Sequence, residues 1–188
     1  MRNLIREIKN SFIQLIFSII FLLLPNAGYA NSYSAIDYTL KLSKSIIPAI
    51  TIEAEIKGTL SNQLIINLPS HWAGANYFKQ LKNVKLIDCD FKFSVTQGTD
   101  PQIVIDIPRQ VHSLKISYEL HQKNGDPSNV REIIIRKDLI HSTGYGLFAV
   151  PDDAHIKDIL GFSVKWKEMP SNWKSLSSHG AGASLLFT

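Results

Sequence analysis

The side chains of this 188-residue sequence that could do chemistry are six histidines, one cysteine and a set of aromatic residues in turn-like stretches. The histidines are His71, His112, His121, His141, His155 and His179. No two stand four apart, the spacing that sets two ligands on one face of a helix, and the motif H-E-x-x-H is absent. A catalytic zinc site usually takes three protein ligands, so this dispersed set predicts no metal site and no cofactor. A G-x-S-x-G nucleophile elbow is also missing. Ser177, Ser178 and His179 adjoin in sequence, but a triad is built from spatial geometry, not from chain neighbours. The stretches "GYG" (Gly144 to Gly146) and "GAG" (Gly180 to Gly182) have no following Lys-Ser or Lys-Thr. They read as turns that need positive φ rather than as phosphate cradles. Asp152 and Asp153 read as a helix start rather than an acid/base pair. No catalytic residue is predicted.

Cys89, in "LIDCDFKF", is the one cysteine and cannot form an intrachain disulfide. It is expected as a small core residue near a strand start. The alternative is an intermolecular bridge or a reactive thiol. Asp88 and Asp90 flank it, and neighbouring carboxylates raise a thiol's pKa, which argues against a nucleophile.

The aromatic residues remain. Leu68 to Tyr77 reads "LPSHWAGANY", a strand end running into Pro69, a His-Trp pair and a glycine. Tyr145 and Phe148 lie in a second such stretch, with Trp166 and Trp173 nearer the end. Trp166 shares parity with Phe162 and Val164 and is expected in the core. His71, Trp72, Tyr77, Tyr145 and Trp173 are the candidate binding residues. Aromatics dominate both packed corners and contact surfaces, so both uses stay open for them.

The elements that must position these residues are strands. Ile50, Ile52, Ala54 and Ile56 alternate with Thr51, Glu53, Glu55 and Lys57, a period of two with one wet face, ended by Gly58. "QLIINLP", "FKFSVT" and "QIVIDIP" follow as separate short strands, the last closed by Pro108. Leu114, Ile116, Tyr118 and Leu120 alternate again, which leaves His112 on the opposite, solvent-facing parity. "KNGDPSN" is the strongest loop signal. "REIIIRKDLI", "YGLFAV" and the stretch holding Phe162, Val164 and Trp166 read as further strands. Only Asp152 to Leu160 and, more weakly, "NYFKQLKNV" have helical character. About eight or more short strands with almost no helix predict an all-β fold, an antiparallel β-sandwich with at most one or two short helices.

The first 30 residues stand apart. Arg2, Arg6 and Lys9 make a basic start, Ser11 to Leu24 is an uncharged apolar run of 14, and Pro25 breaks it. Gly28 and Ala30 then take the small-residue positions of a cleavage site. This is the layout of a secretory signal peptide, and 14 residues fall short of the roughly 20 that span a membrane. The chain is expected to be exported, to the periplasm or the medium, and to meet a membrane only if the leader stays uncleaved. Residues 31–188 would then form a single domain of ordinary size. With three of the 20 basic and one of the 16 acidic residues in the leader, that domain carries 17 against 15, a net +2. Its Lys and Arg are scattered among apolar residues, so no nucleic acid is expected as a partner.

The order of the pieces resembles the N-terminal domain of the M61 glycyl aminopeptidase family. Leu68, Pro69, Trp72 and Gly74 match its leucine-proline, tryptophan and glycine corner. Leu147, Phe148 and Pro151 match a second segment, and Trp166, Pro170, Trp173, Ser177 and Ser178 a third. His71 and Ala73 depart from the corner's usual residues. The resemblance covers nearly all of residues 31–188 and ends where that family's thermolysin-like catalytic domain and, later, its PDZ domain would follow. It implies a β-sandwich that in full-length relatives packs beside the catalytic domain and helps shape its cleft. No catalytic residue carries over, because none of the matching positions is catalytic in the family. The functional expectation is a non-catalytic module that binds a protein or peptide. The alternative is a detached or truncated part of a split zinc aminopeptidase, acting with a separate catalytic protease chain.

Overall fold

The computed structural model describes residues 31–43, 48–72, 74–122, 133–136, 139–152, 159, 161–168, 171–177, 180–181 and 184–187. Two long strands organise them. β2 (Ala49–Asn67) and β7 (Gln102–His121) run antiparallel along most of their lengths. β1 (Ser32–Leu42) joins β2, β11 (Gly161–Lys167) joins β1, and β14 (Ser184–Phe187) joins β11. On the far side of β7 lie β5 (Leu81–Ile87) and β6 (Phe93–Val95), and β10 (Val150–Pro151) pairs with the end of β2. The fold is all-β and sandwich-like, with mostly antiparallel strands. The exception is β1 with β11, which pair in parallel from Ala35↔Gly161 to Lys41↔Lys167.

The period of two does the sorting. In register, Ile36, Ile56 and Leu114 stand side by side, as do Tyr38, Ala54 and Ile116, and Leu40, Ile52 and Tyr118. All are buried. Their neighbours along each strand point the other way and are polar: Asp37, Glu55 and Lys115, then Thr39, Glu53 and Ser117. Each fully buried aliphatic or aromatic side chain contributes about 1.5–3 kcal/mol, so a one-residue slip would forfeit the whole apolar face.

The second layer is not a matching sheet. Short pieces supply it: β3 (His71–Trp72) with β4 (Ala75–Asn76), a 3₁₀ turn (Tyr77–Lys79), β8 (Ile134–Ile135) with β9 (Ile140–His141), and a helical turn α1 (Gly144–Leu147). Ala75, Tyr77, Ile133, Ile135 and Ala149 from these pieces join the same core as the sheet. Two buried tyrosines clamp them down. Tyr118 donates its hydroxyl to the Leu147 carbonyl at 2.5 Å and accepts the Ala149 N–H at 3.0 Å. Tyr38 donates to the Ala149 carbonyl at 2.6 Å, and its ring lies 4.5 Å from that of Phe148. Burial pushes both phenols above their ordinary pKa, so they stay protonated donors.

Several expected boundaries are corrected. Gly58 does not end a strand. Its φ of +151° carries β2 through a bulge, and a Cβ there would sit 1.8 Å from the Ser32 carbonyl oxygen. Pro108 does not close one either, because β7 runs on to His121. "NYFKQLKNV" holds the 3₁₀ turn and then the start of β5 instead of a helix. "REIIIRKDLI" contains the short β8 and β9, and "YGLFAV" opens with α1 rather than a strand. His112 is exposed, as its parity requires, and Trp166 packs against the core. Most of the helix expected over Asp152 to Leu160 lies outside the described residues. Among the described residues no helix is long and apolar enough to cross a membrane.

Candidate functional site

The predicted aromatic corner is where the second layer is tied together. After β2 the chain folds back: Leu68 N–H donates to the Pro101 carbonyl at 3.0 Å and Tyr77 N–H to the Ser70 carbonyl at 2.9 Å. β3 and β4 pair His71↔Asn76 and Trp72↔Ala75, and Gly74 supplies the positive φ of +89° that the reversal needs. Tyr77 is 1% exposed, so it is a core residue and not an open contact. Its hydroxyl lies 3.0 Å from Thr143 Oγ1. Gly146 of α1 lies against its ring, where a Cβ would come within 2.4 Å of Tyr77 Cε1. Gly146 thus serves close approach, and neither glycine of "GYG" has the positive φ expected of a turn there, since both lie in α1.

The structure brings four of the five candidate residues into one neighbourhood, because α1, which carries Tyr145, packs beside β3, which carries His71 and Trp72. His71 is exposed, with Nδ1 3.2 Å from Asp100 Oδ1. The side-chain placements of Trp72 and Tyr145 lie outside the description. Trp173 is half-buried in the coil before β12 (Leu176–Ser177). Among the described residues no group of three His, Cys, Asp or Glu is placed to hold a metal ion.

Sequence reasoning missed a different feature. β5 and β6 both flank the outer side of β7, but they leave a gap. β6 pairs with Ile103 to Ile105, and β5 with Lys115 to Leu120. Among the described residues no strand pairs with β7 between them on this side. Residues 88–92 connect β5 to β6 across this stretch, and residues 88–91 line it. Asp106 N–H donates outward to the Lys92 carbonyl at 3.0 Å. Backbone groups alternate sides along a strand, so the next outward position is Pro108, which has no N–H to extend the ladder. Across the gap, Asp88 takes a φ of +60° and turns the chain off the line of β5.

On the β2 side the register also slips, between Lys57 and Leu60 and again between Leu60 and Asn62. The middle of β7 is therefore irregular on both flanks. Pro108, Arg109, Gln110, His112 and Ser113 are exposed there.

The gap forms an open notch of about 240 Å³. Ile87, Phe91, Val111 and Leu114 give it apolar walls, and Arg109, Lys115, Asp88 and Asp90 give it charge of both signs. Cys89 lines it too and is half-buried, so it is not the core residue expected. Lys115 is held loosely, 4.0 Å from Asp88 and 3.9 Å from Glu55. Among the described residues neither Arg109 nor Asp90 has an ion-pair partner, although both border the same small space. The sequence signal was there: "DCD" interrupts two alternating stretches opposite a strand that carries a proline.

The polar face of the sheet, by contrast, is internally paired. Lys57 Nζ lies 2.6 Å from Asp37 Oδ2, and Ser163 donates to the other carboxylate oxygen of Asp37. Partial burial opposes ionisation of Asp37, but the Lys57 and Ser163 hydrogen bonds outweigh it and hold the carboxyl below its ordinary value. At the end of β7, His121 Nε2 sits 2.8 Å from Glu119 Oε2, and Asn83 donates to the same carboxylate at 2.9 Å. The His121 contact, against the opposing effect of burial, lowers the Glu119 pKa.

No family model and no curated protein matches the sequence. Solved structures do match the fold. An aminopeptidase N family protein from Idiomarina loihiensis superposes with a TM-score of 0.57 at 14% identity, over 81% of this chain. An M1 zinc metallopeptidase from Deinococcus radiodurans is similar over 85% of this chain, with 13% identity and a TM-score of 0.40. This chain spans 27% of the length of the first and 39% of the second. The fold described here is therefore that of a β-rich segment, about a quarter of the chain, in an aminopeptidase N family protein.

Proposed function

We propose that this chain is a non-catalytic, exported β-domain that binds a protein or peptide, and that it is related to the N-terminal domain of the M61 aminopeptidases. The observation that carries the reading is the fold match, which takes in 81% of this chain and 27% of an aminopeptidase N family protein. The M61-like residues support it from the inside. Leu68 is buried, and Leu147, Phe148 and Trp166 pack against the core, so the matched positions are those that build the domain. The open notch beside β7 supplies a place for binding outside them. The test has two arms. Purified protein is assayed for peptidase turnover with added zinc, with and without chelator, and is used as bait on the exported fraction of its native cell. No turnover and a specific captured protein or peptide are expected; chelator-sensitive turnover would overturn the non-catalytic reading.

A second reading is a part of a split zinc aminopeptidase. The 27% coverage favours it, since the matched segment belongs to a much longer peptidase chain. A docking face for a missing catalytic domain should be broadly apolar. Among the described residues the exposed large hydrophobics are Phe93 at 41% and Leu139 at 45%. Capture of a separate H-E-x-x-H protease would decide for this reading.

A further inference from the structure

We infer that loss of the first 30 residues and the seating of β1 are ordered events. A signal peptidase hydrolyses the bond after Ala30 before residues 31–33 settle against β2, and once they have settled the chain is no longer its substrate. The proposal rests on the reading of the chain as exported and adds the step at which its leader is lost. In that step the peptide C–N bond breaks and the oxygen of water joins the Ala30 carbonyl carbon. The hydrogens of water go to the new carboxyl and to the new α-amino group of Asn31.

The argument starts from Asn31, the first residue after that bond, whose side chain belongs to the fold. Ser32↔Thr59 is the last pair in the ladder of β1 with β2. Beyond it the Asn31 amide takes over: Oδ1 accepts the Ser61 N–H at 2.9 Å, and Nδ2 donates to the Gln63 carbonyl at 2.9 Å. An amide placed in this way substitutes for one more peptide unit of β1. It meets β2 where the strand is irregular, at the register slips between Lys57 and Leu60 and between Leu60 and Asn62. The next two residues are tied in as well. Ser32 Oγ accepts the Thr59 N–H at 3.4 Å. Gly58 lets the Ser32 backbone come close, since a Cβ there would lie 1.8 Å from the Ser32 carbonyl oxygen. Tyr33 is 6% exposed and part of the core.

The second strand of argument is access. A protease draws several residues on each side of the scissile bond into its cleft, so susceptibility follows the burial and hydrogen bonding of the backbone around that bond. Here the first residue past the bond is bonded to β2 through its side chain, the second lies in the ladder and the third is in the core. No slack separates the bond from the sheet. Cutting the seated chain therefore requires residues 31–33 to open first, and the rate falls with the fraction of time they are open. Recognition does not change in the same way. Gly28 and Ala30, the small residues of the cleavage site, are present in the sequence whatever the state of the domain. Folding thus withdraws a site that the sequence offers.

The test follows cleavage of the full chain by a detergent extract of its native cell's membranes, the source of signal peptidase, with mass spectrometry of the products. The chain is either diluted from denaturant straight into the extract or refolded first and then mixed with it. The expected result is a cut between Ala30 and Asn31 that is at least about tenfold slower for the refolded chain, the factor for an open fraction of about one-tenth. Two variants separate the seat from the rest of the fold. A spacer of about six Gly and Ser residues between Ala30 and Asn31, roughly 20 Å when extended, should let the refolded chain be cut as fast as the refolding one. Gly58→Ala leaves the leader and the cleavage sequence untouched, drives a methyl into the Ser32 carbonyl and should speed the cut of the refolded chain by about threefold or more. If Gly58→Ala does not fold, the spacer variant decides alone. Equal rates for the parent in the two orders of addition, or a refolded spacer variant as resistant as the parent, would overturn the proposal and leave the exported reading standing. No cut after Ala30 in either order would remove both.

Discussion

The corner around Tyr77 and the notch beside β7 are built from opposite materials and behave in opposite ways. The corner gathers Tyr77, Gly146 and Thr143; Tyr77, at 1% exposure, and Gly146 are buried and Thr143 is half-buried. The notch gathers Arg109, Asp88, Asp90 and Lys115 around a break in strand pairing and stays open. At Tyr77 the aromatic stretch therefore marks a closed seam, and beside β7 a lapse in strand pairing marks an open one. A side chain that buries its area inside the domain has none left to offer a partner.

That comparison is sharpest when stability and binding are measured on the same variants. Tyr77→Ala empties a fully buried site and should cost about 3–5 kcal/mol in denaturant unfolding. A cost below about 1 kcal/mol would mean the corner is not the seam described here. Gly146→Ala drives a methyl into the Tyr77 ring and should cost about 1–3 kcal/mol through overpacking. Tyr118→Phe removes the hydroxyl that serves both Leu147 and Ala149 and leaves their backbone groups unpaired, for about 1–3 kcal/mol; hydrogen exchange should show the 147–149 backbone opening first.

Asp37→Asn should cost about 1 kcal/mol or less, since Lys57 is 41% exposed and water screens the pair. The sign with pH follows from the lowered carboxyl. Its stabilisation is present above the ordinary Asp value of about 3.9 and is lost as pH falls through the lower folded value. The variant should therefore lose less stability than the parent on acidification below about pH 4. Arg109→Glu closes the series with the smallest effect on folding, within about 0.5 kcal/mol, because the side chain is exposed.

The alternating stretches were fully legible. Ile50 to Ile56 and Leu114 to Leu120 fall on the apolar face their parity predicts, and His112 falls on solvent. What misled was punctuation. Gly58 and Pro108 read as stops because isolated glycines and prolines usually are, yet each sits at an irregular point of a strand that continues past it. A residue's effect on pairing depends on which side of the strand its backbone faces, and that is a tertiary fact. The corner was legible as a place but not as a role, because a buried and an exposed tyrosine are spelled alike. The notch was signalled only indirectly, by "DCD" between two alternating stretches, because it is defined by a pairing that fails to occur. Four of the five candidate residues still converge through the packing of α1 beside β3, which no periodicity could show.

The parallel pairing of β1 with β11 makes the molecule close a long stretch of chain. Asp37 and Ser163, which meet across that pair, are 126 residues apart. β2 and β7 pair with far less chain between them, so their closure carries the smaller entropy cost. Loop closure over that distance carries an entropy cost before any contact rewards it, and folds dominated by such distant pairings reach the native state in milliseconds to seconds rather than microseconds. The cost of joining the first strand to residues 161–167 thus falls on the longest closure of chain among the described strand pairs.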